Sequence, residues 1–110
     1  MERIDIPKTI QDILLRHLKE CLDDSNIETQ AIFDPQRHRY QLLNHGWDGS
    51  NRVFGCMVYI EIRNDKIWIQ RDYTEIGIAN QLLEAGLTHD QIVLGFHSPS
   101  KRPYTDFAVQ

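Results

Sequence analysis

The dipeptide Asn64-Asp65 stands between two runs that alternate in hydropathy, Val53 to Arg63 and Lys66 to Gln70. A two-residue loop of this composition suits a tight hairpin, because both positions take a positive φ that Asn and Asp tolerate. Closing the chain there sets Arg63 opposite Lys66, Ile62 opposite Ile67 and Ile60 opposite Ile69. Four isoleucines gather on one face, while Glu61 meets Trp68 and Tyr59 meets Gln70 on the other. Turn chemistry and alternation agree, which is the sign of a specified hairpin. Along the first strand the same alternation sends Phe54, Cys56 and Val58 to the isoleucine face and Gly55, Met57 and Tyr59 away from it.

Two further strands precede this pair. Glu28 to Phe33 and Arg39 to Asn44 flank Asp34-Pro35-Gln36-Arg37, which suits a type I turn with Pro at its second position. Gly46 to Asn51 reads as a loop by composition. A four-stranded antiparallel meander follows. Residues 5–23 form an N-terminal helix: Asp5 is placed to cap it, Pro7 fits its first turn, and Ile10, Ile13, Leu14, Leu18, Cys21 and Leu22 make an apolar stripe. Glu20, Asp23 and Asp24 have the wrong sign for the dipole at its end, which should fray.

After Ile69 the period lengthens, and Ile76, Ala79, Leu82 and Leu83 share one helical face. Asp72 and Glu75 fit a capping box at the start of this second helix, and Gly86 fits its stop. Both helices are expected on one face of the sheet. Thr88 to Gln91 suits one short turn, and Ile92 to Phe96 suits a short strand or a buried extended segment. The tail is expected to order through Phe96, Tyr104 and Phe107. No strand–helix–strand repeat suggests a parallel sheet. The fold class is α+β, in one domain spanning residues 1–110.

Composition narrows the function classes. The net charge of −4 argues against strong non-specific DNA affinity. It is unevenly spread: residues 1–33 carry four basic and seven acidic side chains, residues 34–71 six and four, and residues 72–110 two and five. The sheet is therefore the basic part. Cys21 and Cys56 lack CxxC spacing and read as buried reduced thiols. No signal peptide and no apolar run near the ~18 residues of a membrane span is present, so a cytosolic protein is expected.

The histidines at 17, 38, 45, 89 and 97 form no HxH, HExxH or Cys/His cluster, and no metal is expected. His97, Ser98 and Lys101 lie close in sequence, but one proline-bounded loop does not supply a nucleophile, base and orienting group. Gly46, Gly49 and Gly55 match neither GxxxxGK[ST] nor GxGxxG, so no cofactor is expected. Asp72 and Glu75 are explained by capping, and no catalytic residue is assigned. Exposed Tyr59, Arg63, Trp68 and Arg71 on a basic sheet suit either a protein interface or stacking on single-stranded nucleic acid.

Several blocks carry a family resemblance in order and spacing. They are Asn44 to Asp48, Arg52 to Cys56, Lys66 to Gln70, Thr74 to Ala79, Val93 to Pro99, Lys101-Arg102 and Asp106 to Ala108. Together they resemble the XisI family, the fdxN element excision controlling factors. The resemblance implies an α+β fold and a non-enzymatic accessory role in programmed excision of a DNA element in cyanobacteria. It implies a partner of the XisH type, which looks like a restriction-endonuclease-fold protein, while a separate recombinase does the chemistry. It carries no catalytic residues. An acidic protein beside a nuclease-like one further suggests restraint by masking basic nucleic-acid sites. The expected interaction surface comprises Trp47, Asp48, Arg52, Tyr59, Arg63, Trp68, Arg71, His97, Lys101 and Arg102. A homo-oligomer is expected, because Trp47 and Trp68 lie where one copy leaves them open; direct DNA binding by the sheet and a small enzyme using His97, Ser98 or Asp72 are the alternatives.

Overall fold

The computed structural model describes residues 4–21 and 26–110. Helix α1 (Ile6–Glu20) leads into strands β1 (Ile27–Asp34), β2 (Arg39–Asp48), β3 (Asn51–Arg63) and β4 (Lys66–Asp72), then helix α2 (Ile78–Glu84) and strand β5 (Ile92–Leu94). The strands form one sheet in sequence order. The first four are an antiparallel meander, and β5 runs parallel to β4. The β4–α2–β5 passage is thus a strand–helix–strand crossover, a parallel element that a single such unit does not announce as a repeat.

α1 starts as its sequence dictates. The Asp5 carboxylate accepts from the Lys8 N–H at 3.1 Å, and Pro7 occupies the first turn. The helix ends at Glu20 rather than at residue 23, and the expected fraying at Leu22, Asp23 and Asp24 lies outside the described residues. Ile10, Ile13 and Leu14 are buried against Tyr40, Leu42, Val58, Ile60, Ile67 and Ile69 of the sheet and against Ile78, Leu82 and Leu87. Both helices therefore cover the isoleucine face. Each such side chain, taken from water, stabilises the fold by roughly 1.5–3 kcal/mol before entropy is counted.

The turns follow their chemistry. Asn64 and Asp65 both have positive φ, 52° and 63°, as a type I′ hairpin requires. Asp34 closes the β1–β2 loop by accepting from the Arg37 N–H and from its guanidinium, and His38 takes the left-handed conformation. Residues 46–51 are not an open loop: the ladder continues through Trp47–Arg52 and Asp48–Asn51, leaving only Gly49-Ser50 as the turn. At the end of α2, the Leu87 N–H donates to the Leu82 carbonyl and the Gly86 N–H to the Leu83 carbonyl, a Schellman stop on a left-handed Gly86.

The start of α2 corrects the expected capping box. The helix begins at Ile78, and Ile76 lies outside it, exposed. Asp72 instead reaches forward six residues, its carboxylate accepting from the Ile78 N–H at 2.7 Å and the Thr74 N–H at 2.9 Å. Glu75 is exposed and is not part of the cap. Gly77 and Thr74 form the extra loop that separates strand from helix.

The tail is held by fewer groups than its aromatics suggest. Phe107 packs on the core and on the His89 ring, and the Ala108 N–H donates to the Ile92 carbonyl at 2.9 Å. Phe96 and Tyr104 are exposed, Tyr104 to 91%, and neither belongs to the core. Cys21 and Cys56 are free, and both are half-buried rather than buried. No helix among the described residues is long and apolar enough to cross a membrane.

Candidate interaction face

Two bulges decide which side chains reach the sheet face opposite the helices. In β3, Val58 pairs with Leu42 but Cys56 pairs with Leu43, so Met57 is an extra residue. Everything before it changes side. Met57 packs on the core, while Cys56, Phe54 and Arg52 turn outward, and Phe54 is 67% exposed. The alternation that placed Phe54 and Cys56 with the isoleucines is broken at that point. In β4, Ile69 pairs with Ile60 but Arg71 pairs with Tyr59, so Gln70 is the extra residue. Arg71, not Gln70, therefore stands opposite Tyr59, and Gln70 donates to the Glu61 carboxylate instead.

The face so formed carries a repeated contact. The Arg52 guanidinium lies 5.3 Å from the Trp47 ring centroid and 5.9 Å from that of Phe54. Arg63 lies 4.7 Å from Trp68, Arg102 lies 5.1 Å from the same ring, and Arg71 lies 4.9 Å from Tyr73. The pairing of Trp47 with Arg52 is a direct result of the ladder running to the hairpin tip. Arg102 arrives from the C-terminal segment, fixed by donating from Nε to the His97 carbonyl at 3.0 Å and from Nη2 to that of Gly95 at 3.4 Å.

None of these four guanidiniums has a carboxylate within ion-pair distance among the described residues, whereas Arg39 is paired with Glu61 at 3.3 Å and Arg37 with Asp34 at 2.9 Å. The guanidiniums of Arg52, Arg63 and Arg71 are exposed, and a planar guanidinium lying on a ring can still turn N–H groups to a carboxylate or phosphate, whereas Arg102 is half-buried and donates to two backbone carbonyls. A shallow cleft of about 470 Å³ lined by Gln41, Cys56, Tyr59, Gln70 and Arg71 sits among them. Burial pushes the Cys56 thiol up, against the pull of Arg71, so it stays protonated and donates to the Val58 carbonyl.

The expected surface residues divide. Trp47 and Arg52 meet at the β2–β3 tip, and Tyr59, Arg63, Trp68 and Arg71 share the open face with Arg102. Asp48 is exposed at the tip, His97 stacks on Phe96, and Lys101 is exposed in the tail, all three outside the stacked array. Phe54 and Tyr73 belong to the face and were not expected there. Gly55 was the available signal for Phe54, since an isolated glycine within a strand pattern marks a bulge.

Two further clefts lie among the described residues. One of about 290 Å³ between α1 and the β4–α2 loop is lined by His17, Glu20, Cys21, Met57, Tyr73, Thr74, Glu75 and Ile76. One of about 320 Å³ lies beside Phe54 and Arg71. Asp72, His97 and Ser98 line none of these three. His17 is bonded to Gln81 and His45 to Glu28.

The family model described as XisI protein matches residues 1–109. The chain is 34% identical to a XisI-like protein from Anabaena variabilis ATCC 29413, whose crystal structure superposes with a TM-score of 0.90 over 96% of both chains. It is 41% identical to the fdxN element excision controlling factor XisI from the same organism, with a TM-score of 0.83 over 96% of both chains. No curated protein matches the chain.

Proposed function

The chain belongs to the XisI family, and from that premise we propose that it is a non-enzymatic accessory factor in the control of DNA-element excision, acting through a nuclease-fold partner of the XisH type. The observation that carries the reading is the open sheet face, where four arginines lie on aromatic rings without carboxylate partners among the described residues. Arginine and aromatic side chains are what protein interfaces enrich and where their energy concentrates. The exposed donors are cations, so the partner surface that fits is acidic. Contact through this face differs from the masking of a basic nucleic-acid site by an acidic protein.

Co-expression with an XisH-like protein and light scattering across size exclusion test this. A complex of defined mass is expected, and Arg63→Glu with Arg71→Glu should abolish it. Two folded proteins that elute separately would remove the reading.

The same stacking favours a second reading, direct binding of single-stranded DNA, because bases stack on exposed aromatics while arginines meet phosphates. Affinity would then fall with salt by a log–log slope of roughly −0.7 per phosphate neutralised. A double variant that binds DNA as well as the parent would eliminate it.

A further inference from the structure

Among the described residues β1 is an edge strand, hydrogen-bonded to β2 on one side only. One hydrogen bond fixes where its backbone groups point. The Trp47 N–H donates to the Asn26 carbonyl at 2.8 Å, and Ile27 pairs with Gly46, Glu28 with His45. Hydrogen-bonded and non-hydrogen-bonded pairs alternate in an antiparallel ladder. Glu28, Gln30, Ile32 and Asp34 therefore turn their N–H and C=O groups toward β2, and Ile27, Thr29, Ala31 and Phe33 turn theirs to the open edge.

Among the described residues this edge lacks several of the usual guards. Ile27 to Asp34 contains no Pro, Lys or Arg, and the β1–β2 register has no bulge. The opposite edge is protected: β5 has three residues, and Ala108 bridges to Val93 beside it. Apolar side chains also run out to the open edge. Ile32 is 42% exposed on the outer face, and Ala31 and Phe33 are only partly covered by the core.

We propose that β1 pairs antiparallel with β1 of a second copy about a twofold axis at Gln30. The register follows from which residues face outward. Hydrogen-bonded pairs must join outward residues, and a twofold contact makes the surface self-complementary. Centred on Gln30, Ile27 meets Phe33 of the second copy and Thr29 meets Ala31, so every outward residue of both strands is used. Centred on Ala31, the ladder leaves Ile27 unpaired and sets Glu28 against Asp34, two like charges. Centred on Thr29, it leaves Phe33 unpaired. In the Gln30 register Glu28 meets Ile32, and no like charges oppose. An axis perpendicular to the sheet joins two five-stranded sheets into one, with both helical layers on one side and both arginine–aromatic arrays on the other. The inference does not depend on the partner or DNA reading, because the mass of the purified chain alone decides it.

Light scattering of the purified chain should give twice the mass of 12.9 kDa. Ala31→Pro should halve that mass yet leave the fold intact, because the lost N–H faces out, a position where an edge strand tolerates Pro. Gln30→Pro removes a donor from the β1–β2 ladder and should lower the unfolding midpoint sharply. With Cys21→Ser and Cys56→Ser as background, Gln30→Cys should form an intermolecular disulfide on mild oxidation. The two copies of residue 30 face one another as a non-hydrogen-bonded pair, with Cα atoms about 4.5 Å apart. A monomeric parent overturns the proposal, as does a dimer unaffected by Ala31→Pro. A dimer broken by Ala31→Pro whose Gln30→Cys form stays uncrosslinked overturns the register. An edge occupied only in a complex with an XisH-like protein overturns the second copy as its occupant.

Discussion

The Arg102 guanidinium lies 5.1 Å from the centroid of the Trp68 ring, joining a single 3-10 turn of the C-terminal segment, Arg102–Tyr104, to strand β4. The contact holds the C-terminal segment to the open face, with two backbone carbonyls fixing the other edge of the guanidinium. Arg102→Ala removes the stack and two charge-assisted bonds from a half-buried site, and should destabilise by about 1–2 kcal/mol in urea unfolding. Arg102→Lys should recover only part, since an ammonium cannot lie on the ring and reach both carbonyls. Full recovery by Lys would show that charge alone matters there.

Gly46 is required by a neighbour, not by a turn. A Cβ built on it would sit 1.9 Å from the Asn26 carbonyl oxygen, the acceptor of the Trp47 N–H. Gly46→Ala should therefore force β1 and β2 apart and cost about 3 kcal/mol, at the upper end of overpacking penalties. Gly55 is the internal control, because a Cβ there meets nothing within 4 Å. Gly55→Ala should leave stability unchanged or raise it by roughly 0.5 kcal/mol. Equal losses at the two positions would contradict the close approach.

The legible parts of this fold are those set by neighbours in sequence. Asn64-Asp65 fixed Ile60, Ile62, Ile67 and Ile69 in their observed register, because a two-residue turn leaves no freedom in the pairing. Asp5 and Gly86 likewise state their roles locally. What the sequence hides is set at a distance. The run around Met57 carries one local sign of a bulge, Gly55, but only β2 on the other side of the ladder shows which residue is extra. That single displacement moved Phe54 and Arg52 into the interaction face. Arg102 met Trp68 only because the tail folds back across β5, a contact 34 residues along the chain that no spacing encodes.

Asp72 holds the strand-to-helix passage at both ends. Its carboxylate accepts from the Thr74 and Ile78 N–H groups, the second at 2.7 Å. Asp72→Ala leaves those donors without a partner and should cost about 1–2 kcal/mol, as loss of a helix cap does. Glu75→Ala should stay within ~0.5 kcal/mol of the parent, like other surface changes. The comparison is a pair of thermal melts with far-ultraviolet dichroism. A larger loss at Glu75 than at Asp72 would restore the capping box.

Asp34 gives the acid limb a recognisable origin. The Arg37 guanidinium, donating to its carboxylate, holds that carboxyl below the usual range, with a smaller contribution from the Arg37 N–H and a partial offset from desolvation. A carboxyl depressed in the folded state stabilises fully above its unfolded pKa of about 3.9, and that stabilisation fades as pH falls through the folded value. Stability of the parent should therefore drop from about pH 5 downward more steeply than that of Asp34→Asn, with a constant offset between the two above about pH 6. The side chain is exposed, so solvent screening keeps the difference small and carboxyl NMR is the sharper readout. An Asp34 titration midpoint at or above that of an unfolded peptide would show that the Arg37 contact does not hold in solution.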